Sequence, residues 1–188
     1  YIILLNWTTV HLMLDKFNKN YISKKKEIKI MNVTFAPGGI LQIDEARLIY
    51  RNFSGEASKY NREGDRNFAI IIPDQDIADA LIKEGWNVKI RQPRDEGDEP
   101  FMYLSVKVKF NNYGPNVYLM SGSKMIRLNE ESVGCLDKML ILSADLDIRP
   151  YDWEAHNQTG RTAYLQSAKI IQRIDDRFRE DYDNNRPF

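Results

Sequence analysis

From residue 31 onward, apolar and polar residues alternate in short runs broken by turn residues, and one stretch keeps helical spacing instead. Period-two alternation marks strands with one buried face. Residues 45–53 place Arg47, Ile49, Arg51 and Phe53 on one face and Ala46, Leu48 and Tyr50 on the other. Residues 66–72 bring Phe68, Ile70 and Ile72 together, and Pro73 ends the run. Asp74 is then placed to cap a helix in which Ile77, Ala78, Leu81 and Ile82 recur at helical spacing, with Gly85 closing it. In residues 86–91, Trp86, Val88 and Ile90 read as inward and Asn87, Lys89 and Arg91 as outward. Residues 101–110 give the clearest strand, with Leu104, Val106, Val108 and Phe110 opposite Tyr103, Ser105, Lys107 and Lys109. Residues 111–115 are a turn by composition, 116–120 and 124–128 are short strands around Gly122, and 130–138 form a brief helix weakened by Gly134. A long strand over 140–151 ends near Pro150, and another runs over 161–172, with residues 157–160 as the turn between them.

Seven to nine strands with one or two short helices predict a mostly β protein, an OB-fold-like closed or partly open barrel with added strands. At 188 residues, one globular domain plus tails is the expectation. The domain is placed at residues 31–174, followed by a flexible acidic tail at 175–188. Residues 1–30 read differently: an apolar start, then Lys24, Lys25 and Lys26. The peptide at 25–30 is what an A-rich ribosome-binding site containing AAGGAG encodes in frame, just before the codon for Met31. Residues 1–30 are therefore expected to be translated upstream sequence or a disordered extension. As a targeting segment they have their charges on the wrong side of the apolar run, which is also too short to span a bilayer. A protein of the bacterial cytoplasm is expected.

Net charge gives no support for a nucleic-acid partner. Basic and acidic residues balance at 27 each, and leaving out the six basic and two acidic residues of positions 1–30 gives 21 against 25. Any basic surface must be local. The single cysteine, Cys135, rules out an internal disulfide and a cysteine zinc cluster within one chain, and reads as small core filler. With only His11 and His156, histidine-dependent mechanisms lack parts, and no cofactor is implied.

What the chain does offer is cations interleaved with rings. A protein that holds unpaired strands without sequence preference needs both, phosphate-tracking cations and exposed aromatic faces. The candidates on strands are Arg47, Arg51, Phe53, Lys89, Arg91, Tyr103, Lys107 and Lys109. Tyr60, Arg62 and Arg66 belong to a basic hairpin at 59–66, and Tyr113 and Trp153 are loop aromatics. The plain alternative is a solvated sheet face, where outward lysines and arginines are common. At the other end of the chain, Asp181, Asp183, Pro187 and Phe188 form an acidic stretch closing on a Pro-Phe terminus, which suits a basic pocket on a protein partner.

Several motifs carry a family resemblance: Arg51-Asn52-Phe53-Ser54-Gly55-Glu56, Arg66-Asn67-Phe68, Gly85-Trp86-Asn87-Val88-Lys89, Gly114-Pro115-Asn116-Val117-Tyr118 and Arg149-Pro150-Tyr151-Asp152-Trp153. Across residues 31–175 the chain resembles phage-type OB-fold single-stranded DNA-binding proteins, a type recurrent in phages and prophages of gut Firmicutes. Its tail is similar to the acidic tip by which such proteins recruit replication and repair enzymes, although Arg186 departs from that pattern. The resemblance implies a non-enzymatic coat for single-stranded DNA in replication or recombination, with protein partners on the tail, no membrane association, and a homodimer as an open alternative.

Two other classes compete. A magnesium nuclease would draw on Asp145, Asp147, Asp152 and Glu154, but Ser143, Asp145, Asp147 and Arg149 also read as the solvent side of a strand whose inward residues are Ala144, Leu146 and Ile148. The acidic loop at 95–99 lacks calcium-loop spacing, and no phosphate-binding glycine loop or nucleophile with a base is present. A phage inhibitor of a host defence nuclease, acting as a nucleic-acid mimic, would use that acidic loop. Cations pointing to unrelated sides would favour the inhibitor; cations sharing a face would favour the strand binder.

Overall fold

The computed structural model describes residues 30–93, 97–112 and 114–174. The chain forms two units, Tyr1–Ile30 and Met31–Phe188, and the described fold is that of the second. Its strands are β1 (Asn32–Ala36), β2 (Ile40–Ala46), β3 (Leu48–Asn52), β4 (Arg66–Ile72), β5 (Val88–Arg91), β6 (Phe101–Val108), β7 (Asn116–Ser121), β8 (Lys124–Leu128), β9 (Ile141–Ala155) and β10 (Gln158–Gln172). Among the described residues one α-helix, α1 (Gln75–Lys83), joins β4 to β5. Asp74 caps it as its sequence suggests, its carboxylate accepting from the Ile77 amide at 2.9 Å, and Ala78 and Leu81 turn its apolar stripe into the core.

All ten strands belong to one sheet, ordered β1-β2-β9-β10-β6-β4-β3, with β5 added on β6 and the β7–β8 hairpin added on β10. Among the described residues no ladder closes the two ends of this path. The chain itself links the two margins instead, because Arg47 alone separates β2, the neighbour of end strand β1, from β3, the other end strand. One bent run thus serves both margins, and the sheet curls into an OB-like, partly open barrel. One edge of β6 is shared: β5 covers residues 101–104, and β10 takes over in parallel at Val106 and Lys107. Further along, β10 leaves β6 and pairs β7 over residues 167–171.

The core is the inside of this curl. Leu41, Ile43, Phe53, Phe68, Ile70, Leu104, Val106, Ile148 and Ile170 are all buried, with Phe53 stacked on Phe68 at 5.2 Å between ring centres. Burying each such side chain contributes roughly 1.5–3 kcal/mol. Val133 and Leu136 seal one end from a 3-10 turn (Val133–Asp137), the form taken by the brief helix expected over 130–138. Because that turn buries residues three apart, Cys135 faces out and is exposed rather than filling the core.

Two β-bulges separate the observed strands from the single run expected over 45–53. Glu45 (φ 57°) and Tyr50 (φ 50°) both adopt left-handed backbone. The first lies between the pairs Ile43↔Leu146 and Ala46↔Ala144, the second between Ile49↔Ala69 and Asn52↔Asn67. At the second, Tyr50 and Arg51 together oppose Phe68, so every side chain after Tyr50 changes face. At Pro150 the expected strand end does not occur: β9 continues to Ala155, with Pro150 opposite Ala163. Pairing with β2 has already ended at Ile148, which leaves one edge of β9 free for a residue without an N–H. The hairpin turn tightens accordingly to His156 and Asn157, both at positive φ.

Candidate nucleic-acid interface

The sheet face turned away from the core carries the expected chemistry. On β6 the alternation holds: Leu104, Val106 and Val108 are buried, while Phe101, Tyr103, Ser105 and Lys107 point outward. Register carries this face sideways. Lys89 lies opposite Tyr103 and Arg91 opposite Phe101 on β5. Ile71 and Asn67 of β4 lie opposite Tyr103 and Lys107. Arg47, whose carbonyl accepts from the Ile71 amide at 3.1 Å, continues the row and is exposed.

Tyr50 completes a ring cluster. Its bulge swings the side chain outward, 50% exposed, to meet Tyr103 edge-on at 6.1 Å and Phe101 at 6.5 Å, and the Arg91 guanidinium lies 5.5 Å from its ring centre. A non-glycine residue in left-handed backbone costs about 1 kcal/mol, a strain that clusters where a side chain must be aimed.

A second cluster lies where β6 meets β10. Tyr164 is the register partner of Lys107, the Arg149 guanidinium lies 5.0 Å from the Tyr164 ring centre, and Tyr151 meets that ring edge-on at 6.0 Å. Trp153, two residues beyond Tyr151 and thus on the same side of β9, lies across Gly160, where an added Cβ would come within 2.5 Å of the indole. Only glycine leaves room for the ring to lie flat there. Four residues along β6 separate Tyr103 from Lys107, about 13 Å at strand rise, so the two clusters share one track.

Of the residues expected from the sequence, Arg47, Lys89, Arg91, Tyr103 and Lys107 are brought together on this face, and Trp153 extends it. Among the described residues, Arg47, Lys89, Arg91 and Lys107 form no ion pair with a carboxylate. Lys109 is exposed just past the end of β6. Tyr60 and Arg62 occupy a loop whose Asn61 side chain accepts from Asn67 Nδ2 at 2.8 Å, which sets the loop beside the Lys107 end of the track.

Three residues are corrected. Phe53 is 1% exposed, a core ring that no base can reach. Arg51, on the core side of the same bulge, donates to the Met139 carbonyl at 2.8 Å. Arg66 lies opposite buried Val108 and bridges to Glu130 at 2.8 Å. The first two were misplaced because a bulge is invisible to alternation; the third because a hairpin expected to be free is the start of a central strand. Tyr113, Asp181, Asp183, Pro187 and Phe188 lie outside the described residues. Tyr50, Phe101, Arg149, Tyr151 and Tyr164 were missed, although the outward period of β6 and β9 would have offered Phe101, Arg149 and Tyr151.

The carboxylates expected for a metal are divided between faces. Asp145 and Asp147 face outward, where Asp145 meets Lys169 at 3.5 Å and Asp147 accepts from Gln42 at 3.0 Å and from Ser167. Asp152 points to the other side of β9 and holds Arg161, whose hydrogen bond keeps its carboxyl below the usual aspartate range. Among the described residues, no three His, Cys, Asp or Glu side chains gather as a metal group, and no helix is long and apolar enough to cross a membrane.

Among the solved structures similar to the chain are three of the single-stranded DNA-binding protein from bacteriophage Enc34. A C-terminal truncation matches at 16% identity over 78% of this chain and 94% of that one, with a TM-score of 0.49. The complex with ssDNA matches at 16% over 79% and 93%, with a TM-score of 0.49, and a further structure at 17% over 79% and 88%, with a TM-score of 0.48. No curated protein matches. The family model described as "Putative phage ssDNA-binding domain" matches residues 31–186, and the chain belongs to that family.

Proposed function

We propose that this protein binds single-stranded DNA without sequence preference, laying the strand along the outward face of β5, β6, β9 and β10, and that it does so in phage DNA replication or recombination in the bacterial cytoplasm. The observation that carries the reading is the combination on one face of Tyr50, Phe101 and Tyr103 with cations that have no carboxylate partner among the described residues. Bases stack on the rings, each stack contributing roughly 1–3 kcal/mol, and phosphates pair with Arg47, Lys89, Arg91 and Lys107. Tyr60, Arg62 and Lys109 flank the Lys107 end of the track, and Trp153 extends it from there along β9. A duplex presents no unstacked bases to those rings and gains only the electrostatic part.

Residues 175–188 act separately in this reading, recruiting replication or recombination proteins through Asp181, Asp183, Pro187 and Phe188. An acidic segment also competes with DNA for a basic face, so its deletion leaves strand binding intact or tighter while partner capture is lost. The decisive experiment compares single-stranded and duplex oligonucleotides of equal length at two salt concentrations by gel shift. Preference for the single strand, weakened by salt and indifferent to magnesium removal, supports the proposal. Magnesium-dependent cleavage would replace it with a nuclease, and no binding to either would leave the host-protein inhibitor.

A further inference from the structure

The β9–β10 hairpin leaves the body of the sheet before its turn. β10 pairs β6 only at Ala163 and Tyr164, because β5 occupies the same edge of β6 over residues 101–104. The hairpin beyond Pro150 and Ala163 is therefore a two-stranded arm, and its two sides carry different residues. Tyr151 and Trp153 face the outward side, whereas Asp152 and Arg161 face the turn between α1 and β5.

Arg161 ties this arm to the body. Its Nε and Nη2 hold both carboxylate oxygens of Asp152 at 2.6 and 2.8 Å, and its Nη1 donates to the carbonyl of Glu84. The guanidinium lies 5.4 Å from the ring centre of Trp86, which is itself only 3% exposed. An exposed ion pair alone contributes little. Here one planar fork spans three elements at once, a carboxylate on β9, a carbonyl at the end of α1 and a fixed ring ahead of β5, so it sets a direction in a way a point charge cannot.

We propose that Arg161 is a positioning residue for strand capture: it fixes the angle of the β9–β10 arm, so that Tyr151 and Trp153 form a second stacking subsite for unpaired bases continuing past Tyr103 and Lys107. The inference rests on the proposed function. Arg161 touches no base in this arrangement; it acts through the arm.

The test uses the full chain with oligo-dT of about 4 and about 16 nucleotides, the range of lengths a single OB fold occupies. The shorter probe is satisfied by the β5–β6 face, and the longer reaches the arm. Affinity is read by anisotropy, and the arm by quenching of tryptophan fluorescence, with Trp153→Phe identifying the signal that belongs to Trp153. Arg161→Ala should weaken the longer oligonucleotide about 5- to 30-fold, leave the shorter within about twofold, and abolish the Trp153 quench. Arg161→Lys should fail to rescue, because an ammonium lacks the fork.

Asp152→Asn provides a second route, loosening the same fork without removing a cation. It should weaken the longer probe in the same direction. Equal loss on both probes, rescue by lysine, or an unchanged quench in Arg161→Ala would overturn the proposal, since these mark a direct phosphate contact or a passive ion pair. If the unmodified protein binds neither probe, it is the strand-binding function that fails, not the role of the arm.

Discussion

Salt dependence is the sharpest consequence of an interface built from cations on one face. Arg47, Lys89, Arg91, Lys107 and Arg149 lie along the track, the last two beside Tyr164. Each phosphate neutralised on a single strand contributes about −0.7 to the slope of log affinity against log salt, so five contacts predict a slope of about −3.5. Raising salt fourfold, from about 50 to about 200 mM, should then weaken oligo-dT binding by roughly 100-fold. Lys107→Ala should shallow the slope by about 0.7 without changing the melting temperature, because the side chain is exposed and unpaired. Fluorescence anisotropy over a salt series measures both quantities. A slope shallower than about −1, or one that Lys107→Ala leaves unchanged, would mean that these cations do not meet phosphates.

Tyr103→Ala should weaken oligo-dT about 5- to 30-fold by anisotropy, the lower half of the stacking range, because Tyr50 and Phe101 remain beside the gap; an unaltered affinity would remove the ring cluster from the interface. Phe53→Ala deletes a core ring stacked on Phe68 and should cost about 3–5 kcal/mol in denaturant unfolding, with affinity per folded molecule unchanged. The Asp152 carboxyl is held below its ordinary value of 3.8 by its hydrogen bond from Arg161, with Glu84 the other acid acting on that guanidinium. A depressed acid contributes fully above its unfolded value and loses its contribution as pH falls through the lowered one. The Trp153 signal should therefore be flat from about pH 8 to 5 and change only below 3.8; a midpoint near 6 would point to some other group.

How far the sequence was legible follows from where the backbone stays regular. Residues 101–108 keep strict alternation with no bulge, and Tyr103 and Lys107 were assigned to the outward face that they occupy. Over 45–53 the same rule places Arg47 correctly and then fails at Arg51 and Phe53, because the extra residue at Tyr50 inverts the pattern and nothing in the residue types announces it. β1 and most of β2 were not identified, although Gly38 and Gly39, both at positive φ, turn the chain between them. Phe101 was read as part of its strand but not as part of the interface, since its partner ring, Tyr50, arrives only through that bulge. Arg161 gave no local signal at all: its partners are nine and 77 residues away in sequence, at Asp152 and Glu84.

The fifteen-residue strands β9 and β10 have a root and a tip with unlike surroundings. At the root, Leu146, Ile148, Leu165 and Ala168 are buried between neighbours on either edge; at the tip, residues 154–159 are exposed. Amide exchange should thus be graded within one hairpin, slowest where the strands run through the barrel and fastest at His156 and Asn157. Compliance is therefore confined to the tip beyond the Arg161 fork, while the seat inside the barrel stays rigid, so movement of the turn at His156 and Asn157 does not require the core to open.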